Sequence, residues 1–224
     1  MTPKEQVLGS IRRGLRRSAL SDEQAAPLRQ RVAAHPRHLI PARSRIDHAA
    51  QITLFIANVT KEYGTVIRVG GVADVPGAIS DYLASQNLPS RIVVAPHPAL
   101  RDVPWHDRPL LEIREGRAGP LDPVSVTQGF AAIAETGTLM LPSAPERPTT
   151  LNLLPDTAIV VLQASRVVGP YEDAWDLLRA EGGMPRNVMF VTGPSRSADI
   201  EQTLELGAHG PRNLHVVLIE DHVS

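Results

Sequence analysis

Phe130–Leu141 reads FAAIAETGTLML. An apolar run ends in Ala134-Glu135-Thr136-Gly137-Thr138 and restarts as Leu139-Met140-Leu141. The apolar segments on either side read as buried strand. A carboxylate between two such segments needs a partner or a purpose. Glycine at 137 permits a positive φ or the close approach of a ligand. Glu135, Thr136, Gly137 and Thr138 are therefore the first candidate site. Three roles are open to Glu135: nucleophile, general base poised by apolar surroundings, or anchor for Arg147 or Arg196. A charged residue in a plain hairpin turn is the bland alternative. Thr136 and Thr138 have hydroxyls to offer a substrate carboxylate. The next segment, Ser143–Thr150, is a polar loop carrying Arg147, and it reads equally as a lid or as ordinary surface.

Outward from this stretch, β and α patterns alternate. Upstream, Ile46, Ala49, Ala50, Ile52, Leu54, Phe55, Ile56 and Val59 predict a helix ending at Gly64. Strands are predicted at Thr65–Val69, Arg91–Ala95, Leu110–Arg114 and Val124–Thr127, with a helix at Asp74–Gln86. Ala131–Ala134 is either a further strand or the continuation of a bent one. Downstream, strands are predicted at Thr138–Leu141, Ala158–Leu162, Asn187–Val191 and His215–Ile219, and helices at Glu172–Ala180 and Ser197–Leu206. Short Val/Ile/Leu runs separated by helices mean a mostly parallel sheet covered on both faces, a three-layer α/β/α domain. Residues 46–224 form that domain. Residues 1–45 are read as an N-terminal helix and linker. Thr2-Pro3-Lys4-Glu5 predicts a capping box, and Val7, Leu8, Ile11 and Leu15 recur at helical spacing. Arg12, Arg13, Arg16 and Arg17 form a solvated face, or a surface for an acidic partner. Ser18–Arg45 shows no sustained period and is read as linker.

The second candidate site is Thr192–Ile200, TGPSRSADI. Open parallel sheets bind ligands beyond the carboxyl ends of their strands, and this stretch is read as one such end. Strand, turn and predicted helix would present free amides, Ser195 and Arg196 to an anion. Capping by Ser195 or Ser197, with Arg196 paired to Asp199, is the alternative. Leu206–His215, LGAHGPRNLH, adds His209 and Arg212 in a tight loop, and Arg212 extends the anion pocket.

The composition sets bounds. Net charge is −1 and aromatics are 4%, so nucleic acid has no basic field to meet and the core is aliphatic. The 224 residues include no cysteine, which excludes disulfides, a cysteine nucleophile and thiolate ligation of zinc or an iron–sulfur cluster. No histidine spacing fits a metal template, so no metal ligands are assigned. The charged N-terminus lacks a signal-peptide core, and no run approaches membrane-span length, so the expected location is cytoplasmic, without membrane insertion. No GxGxxG or P-loop pattern occurs.

Three segments carry a resemblance: AIAETGTLML, LNLLPDTAIVV and VTGPSRSADIEQTLELGAHGPRNLHVVLIED. Together they resemble the LUD-domain family, in particular its lactate utilisation protein C branch, over about Val124–Asp221. The resemblance implies a fold similar to the ribose-phosphate isomerase and CoA-transferase superfamily. It also implies a place in a three-protein system oxidising L-lactate to pyruvate, whose iron–sulfur partners are cysteine-rich. A cysteine-free chain would then be the non-cluster subunit, binding a small carboxylate through Glu135, Thr136, Thr138, Ser195, Arg196 and Arg212. Whether such a chain is itself an enzyme, and with what cofactor, does not follow from the resemblance. Two rival functions stand beside it. One is a free-standing CoA-transferase-like or ATP-dependent ligase-like enzyme using Glu135 in a Glu-x-Gly motif. The other is a regulatory module that binds a small acid.

Overall fold

The computed structural model describes residues 2–16, 18, 20–198 and 204–221. Contacts divide the chain into two units, Met1–Leu39 and Ile40–Ser224. In the first, helix α1 (Pro3–Gly14) begins with the expected capping box: Thr2 accepts from the Glu5 amide, and Glu5 accepts from the Thr2 amide. Helix α2 (Asp22–Ala34) corrects the reading of Ser18–Arg45 as linker. A second capping box, Ser21 with Gln24, starts it despite Pro27 inside the helix.

The second unit opens with helix α3 (His48–Lys61), capped by Asp47. Strand β1 (Thr65–Val69), helix α4 (Val75–Ser85), strand β2 (Arg91–Val94), the short helix α5 (Pro98–Arg101), β3 (Glu112–Glu115) and β4 (Val124–Gln128) follow. The hairpin strands β5 (Ala131–Ile133) and β6 (Thr138–Pro142) come next. Then come β7 (Thr157–Gln163), β8 (Val167–Val168), helix α6 (Tyr171–Ala180) and β9 (Val188–Val191). The chain closes with β10 (Arg196–Ala198), β11 (Leu204–Leu206) and β12 (Asn213–Ile219).

Six strands form one parallel sheet in the order β1-β12-β7-β4-β2-β3. Its central strands are buried on both faces, and side chains alternate between the two layers. Ile159, Val161, Val217 and Ile219 join the core that includes Val75, Ile79 and Leu83 of α4 and Leu100 of α5. Ala158, Val160, Leu162, Leu214, Val216 and Leu218 join the core that includes Phe55 and Val59 of α3. The expected mostly parallel sheet flanked by helices is therefore present.

A second sheet, β8-β5-β6-β9, was not legible as such. It mixes antiparallel β5–β6 and β6–β9 pairs with a parallel β5–β8 pair. Ala132, Leu139 and Leu141 face the α3 layer, whereas Ala131, Ile133 and Met140 face Ala174 and Leu178 of α6. The ETGT stretch is thus the turn of a hairpin beside the main sheet. The predicted helix at Ser197–Leu206 is also corrected. Its described ends pair as an antiparallel ribbon, with Arg196 opposite Leu206 and Ala198 opposite Leu204. The Ser195 amide donates to Pro211 O, and the Gly207 amide donates to Ser195 O, closing the base of that ribbon. No helix among the described residues is long and apolar enough to cross a membrane.

Candidate functional site

Gly137 sets the ETGT turn. Its φ is +69°, and a β-carbon there would lie 2.7 Å from the Val59 amide nitrogen on α3. The glycine allows the hairpin to pack closely on helix α3. Asn58, one residue earlier on α3, donates its side-chain amide to the carbonyls of Ala134 (2.8 Å) and Glu135 (3.2 Å). The Glu135 amide donates to Gly169 O. A β-carbon on Gly169 would lie 2.2 Å from Ser44 O, so this glycine lets the 42–44 segment pass close by. That segment delivers Arg43, whose guanidinium donates to the Glu135 carboxylate at 2.7 Å. The Glu135 side chain is 10% exposed and that of Arg43 66%. The sequence reading offered Arg147 or Arg196 as the partner of Glu135; the structure supplies Arg43.

The hydroxyls around the turn bond mainly to one another. Thr138 Oγ1 lies 2.7 Å from Thr136 Oγ1, 3.1 Å from Tyr171 Oη and 2.6 Å from Thr192 Oγ1. Thr136 Oγ1 also lies 3.0 Å from Tyr171 Oη. A hydroxyl has one donor and two acceptor positions, so buried Thr138 is fully engaged. Thr136 and Thr192 reach a cavity of 510 Å³ that is also lined by Arg43, Leu54, Asn58, Lys61, Glu62 and Glu135. The lining balances two cations against two carboxylates and adds hydroxyls, a surface suited to a small polar acid.

Ser195, Arg196 and His209 line a different cavity, of 330 Å³. Its floor includes Leu141, Ala158, Val160, Met189 and Leu214, and buried Asn152 contributes an unpartnered Oδ1. Ala158 and Leu214 sit at the amino ends of β7 and β12, so Thr192–Arg196, which line the same cavity, are not at the carboxyl edge of the parallel sheet. Ser195 Oγ accepts from the His209 backbone amide at 3.2 Å, not from its ring. The Arg196 guanidinium stacks over Tyr63 at 3.6 Å from the ring centroid. Asp199, its proposed partner, lies outside the described residues. Thr192 lines both cavities. Glu135 and Arg196 therefore line neighbouring cavities and do not converge on one. Arg212 lines neither; its Nε is 4.0 Å from Asp156.

Arg147 belongs to a third place. Its guanidinium is 3.3 Å from Gln128 Oε1, at the end of β4, and 3.3 Å from His97 Nε2, just beyond β2. Burial, reinforced by the Arg147 charge, holds the His97 pKa below its ordinary value. Sequence reasoning missed Arg43, Asn58, Lys61, Tyr171, His97 and Gln128. No local motif marks them, and their contacts join distant positions.

Comparison with known proteins places this geometry among relatives. The LUD domain model matches residues 123–219, so the resemblance read from the motifs holds over β4 to β12. The chain is 45% identical over 106 residues to an uncharacterized protein of Neisseria meningitidis serogroup B, covering 45% of this chain and 46% of that one. It is 36% identical over 102 residues to lactate utilization protein C of Bacillus subtilis, covering 44% of this chain and 42% of that one. With lactate utilization protein C of Geobacillus kaustophilus the identity is 37% over 102 residues, again 44% of this chain and 42% of the relative. The chain thus spans less than half the length of the curated relatives it matches. The fold is that of a crystallised DUF162 family protein from Deinococcus radiodurans, with a TM-score of 0.60 and 22% identity over 78% of this chain and 99% of that one. Arg43, Asn58 and Lys61 lie outside the matched LUD segment, and Glu135, Thr136 and Thr192 lie inside it.

Proposed function

We propose that this chain is the non-cluster component of an L-lactate-oxidising system and binds a small hydroxy or keto acid in the cavity between Arg43, Lys61, Glu135, Thr136 and Thr192. The observation that carries the reading is the Arg43–Glu135 pair at a cavity rimmed by hydroxyls. Relatives named for lactate utilisation give it its substrate.

The chemistry follows from the groups present. A lactate carboxylate accepts from the Lys61 ammonium and from guanidinium protons of Arg43. Its α-hydroxyl has a proton to donate, and the Glu135 carboxylate is the nearby acceptor. Binding therefore needs both signs of charge, which a simple cation patch does not offer. Oxidation to pyruvate removes two electrons and two protons. A chain without cysteine has no thiolates to hold an iron–sulfur cluster, so the electrons pass to cysteine-rich partner subunits. In this scheme Glu135 orients substrate and receives the hydroxyl proton, while the Cα–H proton leaves with the two electrons to the partner's acceptor; Glu135 forms no covalent adduct.

Two experiments test the reading. Calorimetric titration with L-lactate and with pyruvate should show one saturable site, weakened about tenfold or more by Glu135→Gln, the loss of one charge-assisted bond. Deletion of the gene should abolish growth of its host on L-lactate as sole carbon source. Unimpaired growth together with no lactate heat would reject the function.

A further inference from the structure

A second ligand site lies away from the hairpin turn. Arg117, Arg147 and Arg186 line one cavity of 520 Å³ with Ser143, Ala144, Pro145, Pro148, Thr149 and Thr150. No carboxylate is among these lining residues. Among the described residues, none of the three guanidiniums has an ion-pair partner. The side-chain hydrogen-bond partners of Arg147 are neutral Gln128 and His97, whose protonation is suppressed by burial and by Arg147 against the opposing charges of Glu146 and Glu181. Three arginines without ion-pair partners among the described residues thus line one concavity in a chain whose net charge is −1.

The fold holds these arginines in place from three directions. Arg117 follows β3 by two residues, and its carbonyl accepts from Arg114 at 3.1 Å. Arg147 is tied to the carboxyl end of β4 through Gln128. Arg186 stands beside Asn187, which exchanges two bonds with Ser143: Ser143 N–H to Asn187 O at 2.8 Å, and Asn187 N–H to Ser143 Oγ at 3.1 Å. Two of these anchors stand at the carboxyl ends of β4 and β3, the parallel strands on either side of β2, and open α/β sheets hold ligands at such ends. Thr150, also a lining residue, has a buried hydroxyl with no hydrogen-bond partner.

We propose that this cavity binds the phosphate or diphosphate group of an organic phosphate. A single carboxylate carries one charge and two oxygens. A diphosphate carries the charge and the number of oxygens that three forked guanidiniums and the loop hydroxyls can occupy together. The cavity is large enough for such a group with part of the molecule attached. The site is separate from the Arg43–Glu135 cavity and does not depend on the lactate reading.

The test is calorimetric titration of the full chain with inorganic pyrophosphate at low ionic strength. One saturable site is expected. Arg117→Ala and Arg186→Ala, both at exposed positions and so compatible with folding, should each weaken binding about tenfold or more. Raising the salt should weaken binding in the unaltered chain. Arg43→Ala should leave the pyrophosphate affinity unchanged. Absence of binding, or equal affinity in the Arg117→Ala/Arg186→Ala double variant, would overturn the proposal. So would loss of pyrophosphate binding on Arg43→Ala. Lactate titration of the double variant separates the two sites: it should be unaltered, and its loss would overturn the assignment of this cavity to phosphate.

Discussion

Acid should weaken this protein through one histidine in the parallel sheet. His215 lies on β12, opposite Thr65 of β1 and Ile159 of β7, and is 4% exposed. Its ring stacks on Tyr82 with centroids 3.8 Å apart, and Nδ1 is 2.8 Å from Thr65 Oγ1. Nε2 is buried with no partner, so a protonated ring would leave an N–H unsatisfied. Burial pushes the pKa down from 6.5 to about 4. The unfolded chain takes up this proton near pH 6.5, whereas the folded chain refuses it until pH 4. Stability is therefore fully present above pH 6.5 and is lost as pH falls toward 4. The gap is 6.5 minus 4, or about 2.5 pH units, which at ~1.36 kcal/mol per unit amounts to ~3 kcal/mol. That is a large share of a typical domain stability. Urea unfolding at half-unit steps from pH 7 to 4.5 measures it, in the unaltered chain and in His215→Gln. Carboxylates contribute equally to both profiles and cancel in the comparison. The variant should lose some stability at pH 7 with the ring stack, and its profile should be shallower by ~1.2 kcal/mol per pH unit between pH 6 and 5. Parallel profiles would refute the reasoning.

Further outcomes concern the hairpin. Gly137→Ala puts a β-carbon at a positive φ and 2.7 Å from the Val59 nitrogen, so strain of order 1–3 kcal/mol, with the clash in addition, should appear as a lower urea midpoint. The same substitution at Gly182, where φ is also positive but nothing lies within 4 Å, should cost less. Tyr171→Phe removes the hydroxyl shared by Thr136 and Thr138 and should lower stability by about 1 kcal/mol, with no change in denaturant slope.

The main sheet was legible because its strands are continuous apolar runs. In β7, Thr157 to Leu162 are all buried, and a short β-branched run of that kind marks a strand covered on both faces. The second sheet was not legible, because Ala131–Ile133 is three residues long and its partners, β6, β8 and β9, are set by tertiary packing. Ser197–Leu206 contains good helix formers, yet its described ends pair as strands. Local propensity lost to bonds from Ser195 and Gly207 that draw the ends together. Helix α2 had a readable start in Ser21–Gln24, but without a sustained apolar period behind it the segment did not read as a helix. At the candidate site, Glu135 announced itself as a charge in an apolar run. Arg43, its partner 92 positions away, carries no local signal, because the gap left by Gly169 is what brings it there. The anion role read into Arg196 came from an expected helix start, and without that helix the guanidinium is a stacking partner for Tyr63.

The account rests on where a small acid binds. Arg43 and Arg196 line different cavities, and each can be removed alone. L-lactate titrations of Arg43→Ala and Arg196→Ala, each checked for an unchanged fold by circular dichroism, decide between them. The account predicts that Arg43→Ala weakens binding about tenfold or more, and that Arg196→Ala leaves it within twofold, roughly the scatter of a distant substitution. Loss of lactate binding on Arg196→Ala with Arg43→Ala unaffected would contradict it.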